Sequence, residues 1–237
     1  MDEARKWRRI DSALAIGAAL IVAYGVLVLE WSVFIVIALF WFENVVIGVL
    51  NVAKMLISGA RIGGLGLIAA LALGAFFTVH YGMFTVGHGV FVVALFGKSE
   101  LGGSASGLFA PLAQMLGYLL NDREGWIAAG SIALLQTAAF FRWWTATREQ
   151  PAFLPHLMFA PYGRIVVLHI TVIVSGILVG MLKQPVLGAL LLVALKLAFD
   201  LGAVSTTVSA TVIGNGRSQR LPLRRFIISQ ERDARRP

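Results

Sequence analysis

The chain has 237 residues, 58% hydrophobic and only 14% charged, against about 25% charged in a soluble domain. Its net charge of +8 lies between the apolar runs and at the chain ends, which points to anionic lipid headgroups and away from nucleic acid. There is no cysteine, which excludes disulfides, thiolate metal sites, Cys-attached haem and cysteine nucleophiles.

Apolar runs delimit six helices. The first, residues 12–29, follows Arg5, Lys6, Arg8 and Arg9. That opening resembles a secretory leader, but no small-x-small cleavage site follows and more spans come after it, so it reads as a retained helix. The second covers residues 32–56. The third lies in residues 63–97, a run of 35 without Asp, Glu, Lys or Arg. As one helix it is about 52 Å long, against a hydrocarbon core of about 30 Å. It is either one helix that protrudes, tilts or kinks near Gly82 and Gly87, or two short spans turning at His80–Met83.

Residues 104–120 place Leu108, Leu112, Met115, Leu116, Leu119 and Leu120 at helical spacing, broken by Pro111 and Gly117. This predicts an amphipathic helix on the outer interface, with a re-entrant segment as the alternative. Three more spans follow at residues 125–145, 163–182 and 185–208. Residues 221–228 mix Arg224 and Arg225 with Leu223, Phe226, Ile227 and Ile228, predicting a short inner interfacial helix, and residues 231–237 read as a disordered end. Trp41 falls too deep for an interface and reads as packing.

Charge bias sets the orientation. With six spans and the N-terminus inside, the inner segments hold the N-terminal cluster, Lys54, Arg61, Arg148, Arg164 and seven arginines after Ile213. The outer connections hold Lys98, Arg123 and Lys183. Seven spans would put the arginine-rich tail on the translocated side, against the positive-inside rule. The predicted fold is therefore an all-α, polytopic transmembrane helix bundle of six spans plus short interfacial helices. It forms one integral membrane domain over residues 1–237, a bundle over 11–213 and a basic cytoplasmic tail over 214–237. No internal repeat is visible, which weakens an inverted-repeat transporter reading.

A lone charge in lipid costs about 2.5–3.5 kcal/mol on the gentlest scale, so polar residues inside spans face the bundle or a cavity. Glu43 lies about halfway along the second helix, with Asn44 beside it and Asn51 on nearly the same face as Asn44. His80 and His88 are eight residues apart on the third. On a straight helix that is about 80° off alignment and about 12 Å of rise, too far for both to reach one metal ion at about 2 Å. Lys196 and Asp200 stand at i,i+4 on the sixth helix, within reach of each other, and Thr206, Thr207 and Ser209 extend it with hydroxyls. His169 opens the fifth helix, followed by Ser175 and Gly176 at close-packing positions, and His156 falls in an inner loop as a surface residue. By depth, Glu43, His80, Lys196 and Asp200 all fall near the midplane. They are expected to converge on one interior site.

The chain contains no Walker loop, no His-Glu-x-x-His and no Gly-x-Ser-x-Gly. The segments FWFENVVIGVLNVAKM, HYGMFTVGH and KLAFD together resemble an uncharacterised family of bacterial polytopic membrane proteins, DUF6498. The resemblance implies a multi-span fold and no established activity.

Three functions fit. One is proton-coupled transport or conduction of a small solute or ion, with Glu43, His80 and the Lys196–Asp200 pair lining a polar cavity. The second is a membrane metal-binding or redox protein, with His80, His88, His169 and Glu43 as ligands. The third is a structural or assembly subunit whose polar residues, Asn44 and Asn51 included, only hold helices together. Partners expected are the lipid bilayer and a small solute, proton or metal ion, with a homo-oligomer allowed. The cofactor is unknown. The expected location is a bacterial cytoplasmic (inner) membrane with both termini cytoplasmic.

Overall fold

A computed structural model describes residues 2–102, 107, 109–121, 123–149, 151–163, 165–166, 169–170, 173–174, 186–187 and 189–201. Among them the fold is all-α, with no strand. The helices are α1 (Asp2–Val28), α2 (Val33–Ile62), α3 (Gly64–Phe96), α4 (Lys98–Leu101), α5 (Ala110–Asn121), α6 (Arg123–Ala146) and α7 (Leu154–Phe159). Residues 189–201 are helical as well, as are the described residues between 162 and 174. Ser175, Gly176, Thr206, Thr207, Ser209, residues 221–228 and the rest of the basic tail lie outside the described residues.

The central element is α2. Ser32 caps its start by accepting from the Ile35 amide at 3.4 Å, satisfying one of the N-terminal donors that a helix leaves open. Val33, Phe34 and the unbroken run Val36–Trp41 are all buried. A helix apolar on every side is either interior or surrounded by lipid. Here α3, α6, α5, α7 and residues 189–193 surround it, and Val22 and Val26 of α1 join the same core.

The α2–α3 connection is one residue, Gly63, at φ +116°, ψ −171°. That conformation is essentially restricted to glycine because a Cβ collides with the backbone there. Gly63→Ala is expected to cost about 1–3 kcal/mol, read as a fall in the thermal midpoint with the helical circular dichroism unchanged.

Of the two readings of residues 63–97, the single helix is the one found. It runs unbroken through Gly82 and Gly87. Its buried residues recur every three or four positions: Gly66, Ala70, Gly74, Phe77, Tyr81, Thr85, His88 and Val92. This stripe faces α2. At the hairpin end both helices use small residues, and the backbones approach closely where Gly59 meets Gly66 and Ala70. Higher up, side chains fill the seam. The indole of Trp41 donates to the Thr85 carbonyl at 2.8 Å, and the Tyr81 hydroxyl donates to the Asn44 carbonyl at 3.1 Å. Trp41 is thus packing and hydrogen-bonded, as its depth predicted.

Helix direction follows from the contacts. Gln136 meets Glu43, and Thr147, just past the end of α6, meets Arg61, so α6 runs parallel to α2. Tyr162 meets His80 and His169 meets His88, so residues 162–169 run parallel to α3. Ala189 and Leu192 pack with the first turns of α2, while Phe199 reaches Gly163, so residues 189–199 again run with α2.

Amphipathic α5 overlaps the segment predicted to be so. It buries Met115 and Leu119 and stacks Tyr118 edge-on against Phe34 at the start of α2. At the other end α7 buries Leu154, Leu157 and Met158, and His156 is exposed on its outer side.

Two described helices, α2 and α3, are long and apolar enough to cross a bilayer on their own. The count of six is not reached by this measure. The apolar part of α1 is a shorter stretch, Ala15–Val28. Much of the predicted fifth span lies outside the described residues, as do parts of the sixth.

Candidate functional site

The interior polar groups assemble on three seams. The first joins α2, α6 and residues 189–201. Lys196 Nζ lies 2.8 Å from Glu43 Oε2 and 2.7 Å from Asp200 Oδ2. The other Glu43 oxygen accepts from Gln136 Nε2 at 2.7 Å. The Lys196 ammonium also stands over the Phe40 ring, 5.2 Å from its centroid, within cation–π range. The side chains of Glu43, Asp200 and Lys196 are 4%, 7% and 19% exposed. Helical spacing explains the parts. Residues four apart share a face, which sets Lys196 over Asp200, and the parallel course of residues 189–199 beside α2 brings Lys196 level with Phe40 and Glu43.

The second seam joins α3 to residues 162–169. His80 Nδ1 is 2.8 Å from the Tyr162 hydroxyl, and His80 stacks on Phe76. Two turns further, His88 Nδ1 is 3.3 Å from His169 Nε2, and His169 Nδ1 is 2.8 Å from the Ile165 carbonyl. A carbonyl only accepts, so His169 Nδ1 carries hydrogen. With both rings neutral, His169 Nε2 is then an acceptor and His88 Nδ1 the donor. The remaining nitrogen, His88 Nε2, is a bare lone pair. It is buried and has no hydrogen-bond partner.

The third seam binds α7 to α2. Asn51 Nδ2 donates to the Leu157 carbonyl at 2.8 Å. Asn44 Nδ2 turns back to the Phe40 carbonyl at 2.9 Å, leaving Asn44 Oδ1 buried and without a donor.

Of the residues singled out by sequence, Glu43, Lys196 and Asp200 therefore meet. His80 does not join them; it pairs with Tyr162. His88 and His169 pair with each other. The four residues weighed as metal ligands, His80, His88, His169 and Glu43, fall into three separate contacts. Among the described residues no three of His, Cys, Asp or Glu come together to hold an ion. This follows from the unbroken α3, on which His80 and His88 are two turns apart and face different neighbours.

Sequence reasoning missed Gln136, Tyr162 and Phe40. Gln136 carried a signal, as a lone amide in the middle of an apolar run. Tyr162 and Phe40 carried none.

These features define an all-α protein with an ionic cluster in the interior of its bundle. The chain belongs to the family of unknown function DUF6498, whose model matches residues 1–214. No curated protein and no solved structure matches it.

Proposed function

We propose that the protein is a single six-span domain of the bacterial inner membrane, with both termini cytoplasmic, and that its ionic cluster couples proton movement to the passage of a small solute or ion. The observation that carries the proposal is the sharing of Lys196 between Glu43 and Asp200. Two carboxylates face one ammonium, so a proton or a second cation entering this group is met by negative charge already in place. Each arriving positive charge also weakens the hold of one carboxylate on Lys196, which links occupancy to the contact between α2 and Lys196.

Membrane insertion is supported by the outward face of α3. Leu65, Ile68, Leu71, Phe76, Val79 and Met83 are 53–85% exposed and line much of the helix. In water such a stripe would exceed the few hundred Å² that soluble monomers expose; in lipid it is ordinary. The alternating helix directions support successive crossings, and Lys54, Arg61 and Arg148 lie toward the hairpin end as the positive-inside rule asks.

The absence of native cysteine allows a clean topology test. Ile62→Cys is expected to react only with thiol reagent reaching the cytoplasmic face, and Asn121→Cys only from the opposite face. Labelling of both from one side would end the six-span reading.

For function, the full chain is reconstituted in vesicles with an interior pH dye and an imposed pH gradient. Wild type is expected to pass protons, and Glu43→Gln and Asp200→Asn to lose most of that flux while remaining folded. Wild-type vesicles no more permeable than empty ones would leave the cluster as a structural device.

A further inference from the structure

Resting on that transport reading, we propose that the solute is a small ammonium-type cation, ammonium itself or a short primary amine, for which the Lys196 side chain is a tethered stand-in. The Lys196 head group shows what its surroundings bind. Its N–H donors are received by Glu43 and Asp200, and its charge sits on the Phe40 ring face. Carboxylate acceptors with an aromatic face are the chemistry that selects an alkylammonium.

A second observation, independent of this cluster, points the same way. Along α2 and α3 stand three buried side-chain polar atoms without partners; two of them, Asn44 Oδ1 and the lone pair on His88 Nε2, can only accept, and the third, Ser58 Oγ, can do either. Buried polar groups rarely go unpaired, so each of the two acceptors marks a place for a donor. Tyr81 bonds to the Asn44 backbone carbonyl and precedes His88 by seven residues, so Asn44 and His88 stand at levels about two turns apart along α3. The His169 and Ile165 contacts fix the His88 ring so that this nitrogen stays an acceptor. A solute rich in N–H donors and positively charged meets their needs at each of these positions. An anion meets them at none.

The test uses the purified full chain in vesicles and radiolabelled methylammonium. Saturable uptake is expected, competed by ammonium and much less by tetramethylammonium, which has the charge but no N–H. Glu43→Gln should abolish it. His88→Phe, which keeps a ring but removes the acceptor, should raise the half-saturating concentration at least about 10-fold, the weight of one hydrogen bond to a charged group.

Binding is read separately in detergent. Lys196→Ala vacates the stand-in's position, so methylammonium should raise its thermal midpoint, and should fail to do so in Glu43→Gln/Lys196→Ala. Vesicles that pass protons but neither accumulate methylammonium nor respond to ammonium would overturn this inference and leave the proton reading intact. Loss of proton flux and methylammonium uptake together in wild type would remove both. If Glu43→Gln does not fold, Asp200→Asn takes its place with the same expected result.

Discussion

Lys196→Met is expected to destabilise the protein by about 3–5 kcal/mol, the usual cost of stranding a buried charge by removing its partner. Methionine keeps most of the length and apolar stem of the lysine, so packing changes little. The loss is electrostatic. Glu43 and Asp200, 4% and 7% exposed in their side chains, would lose the ammonium that bridges them. Glu43→Gln should cost much less, because a balanced Lys196–Asp200 pair remains and the amide can still bond to Gln136. Asp200→Asn leaves Lys196 to Glu43 in the same way.

The order of the three variants therefore separates an ionic cluster from mere close packing. A packing role predicts similar losses for all three. The double variant Glu43→Gln/Lys196→Met sharpens the comparison. Removing the lysine when Glu43 has already been neutralised leaves one carboxylate where two were stranded, so the lysine step should cost less there than in wild type. Thermal or denaturant unfolding in detergent reads the cycle, and additive losses would show that Glu43 and Lys196 are not coupled.

What could be read from sequence followed one rule: contacts within a helix are legible, and contacts between helices are not. The i,i+4 spacing announced Lys196–Asp200 directly, and the structure holds that pair at 2.7 Å. The same spacing rule said that His80 and His88 could not share one ion on a straight helix, and they do not meet. The partners Glu43–Lys196, His80–Tyr162 and His88–His169 are separated by 153, 82 and 81 positions. Depth along each span placed Glu43 and Lys196 at similar levels but said nothing of which way either faced. Depth also grouped His80 with them, although rotation about α3 turns it to Tyr162. The single long third helix was the reading that charge bias favoured. The residue that permits it, Gly63, had no distinguishing mark among the neighbouring glycines, because any of them could adopt a positive φ and the packing of α2 on α3 decides which one does.

Gly59→Leu is expected to open the α2–α3 hairpin. A Cβ built at Gly59 meets the Cβ of Ala70, and lies 2.6 Å from the Gly66 carbonyl oxygen, closer than real side chains come. Neither neighbour can swing aside, since one is a backbone oxygen and the other a methyl on the backbone. The helices must part. Adding only a methyl, Gly59→Ala should cost about 1–3 kcal/mol, the range for overpacking. Leucine adds three more carbons to the same point and should cost more.

The consequence reaches beyond the hairpin end. Parting α2 from α3 there strains the Tyr81–Asn44 contact several turns higher. It also loosens the cluster of Met55, Ala70, Phe77 and Tyr81 on which α7 and Ile165 pack. Fluorescence transfer between labels at the exposed positions Ala60 and Ile68 should report a greater separation in Gly59→Leu, together with a lower thermal midpoint. At Gly17, where an added Cβ meets nothing within 4 Å, alanine should leave the midpoint unchanged or raise it slightly through better helix propensity. The contrast isolates close helix approach, rather than glycine content, as what holds the hairpin. Equal effects at Gly59 and Gly17 would remove that explanation.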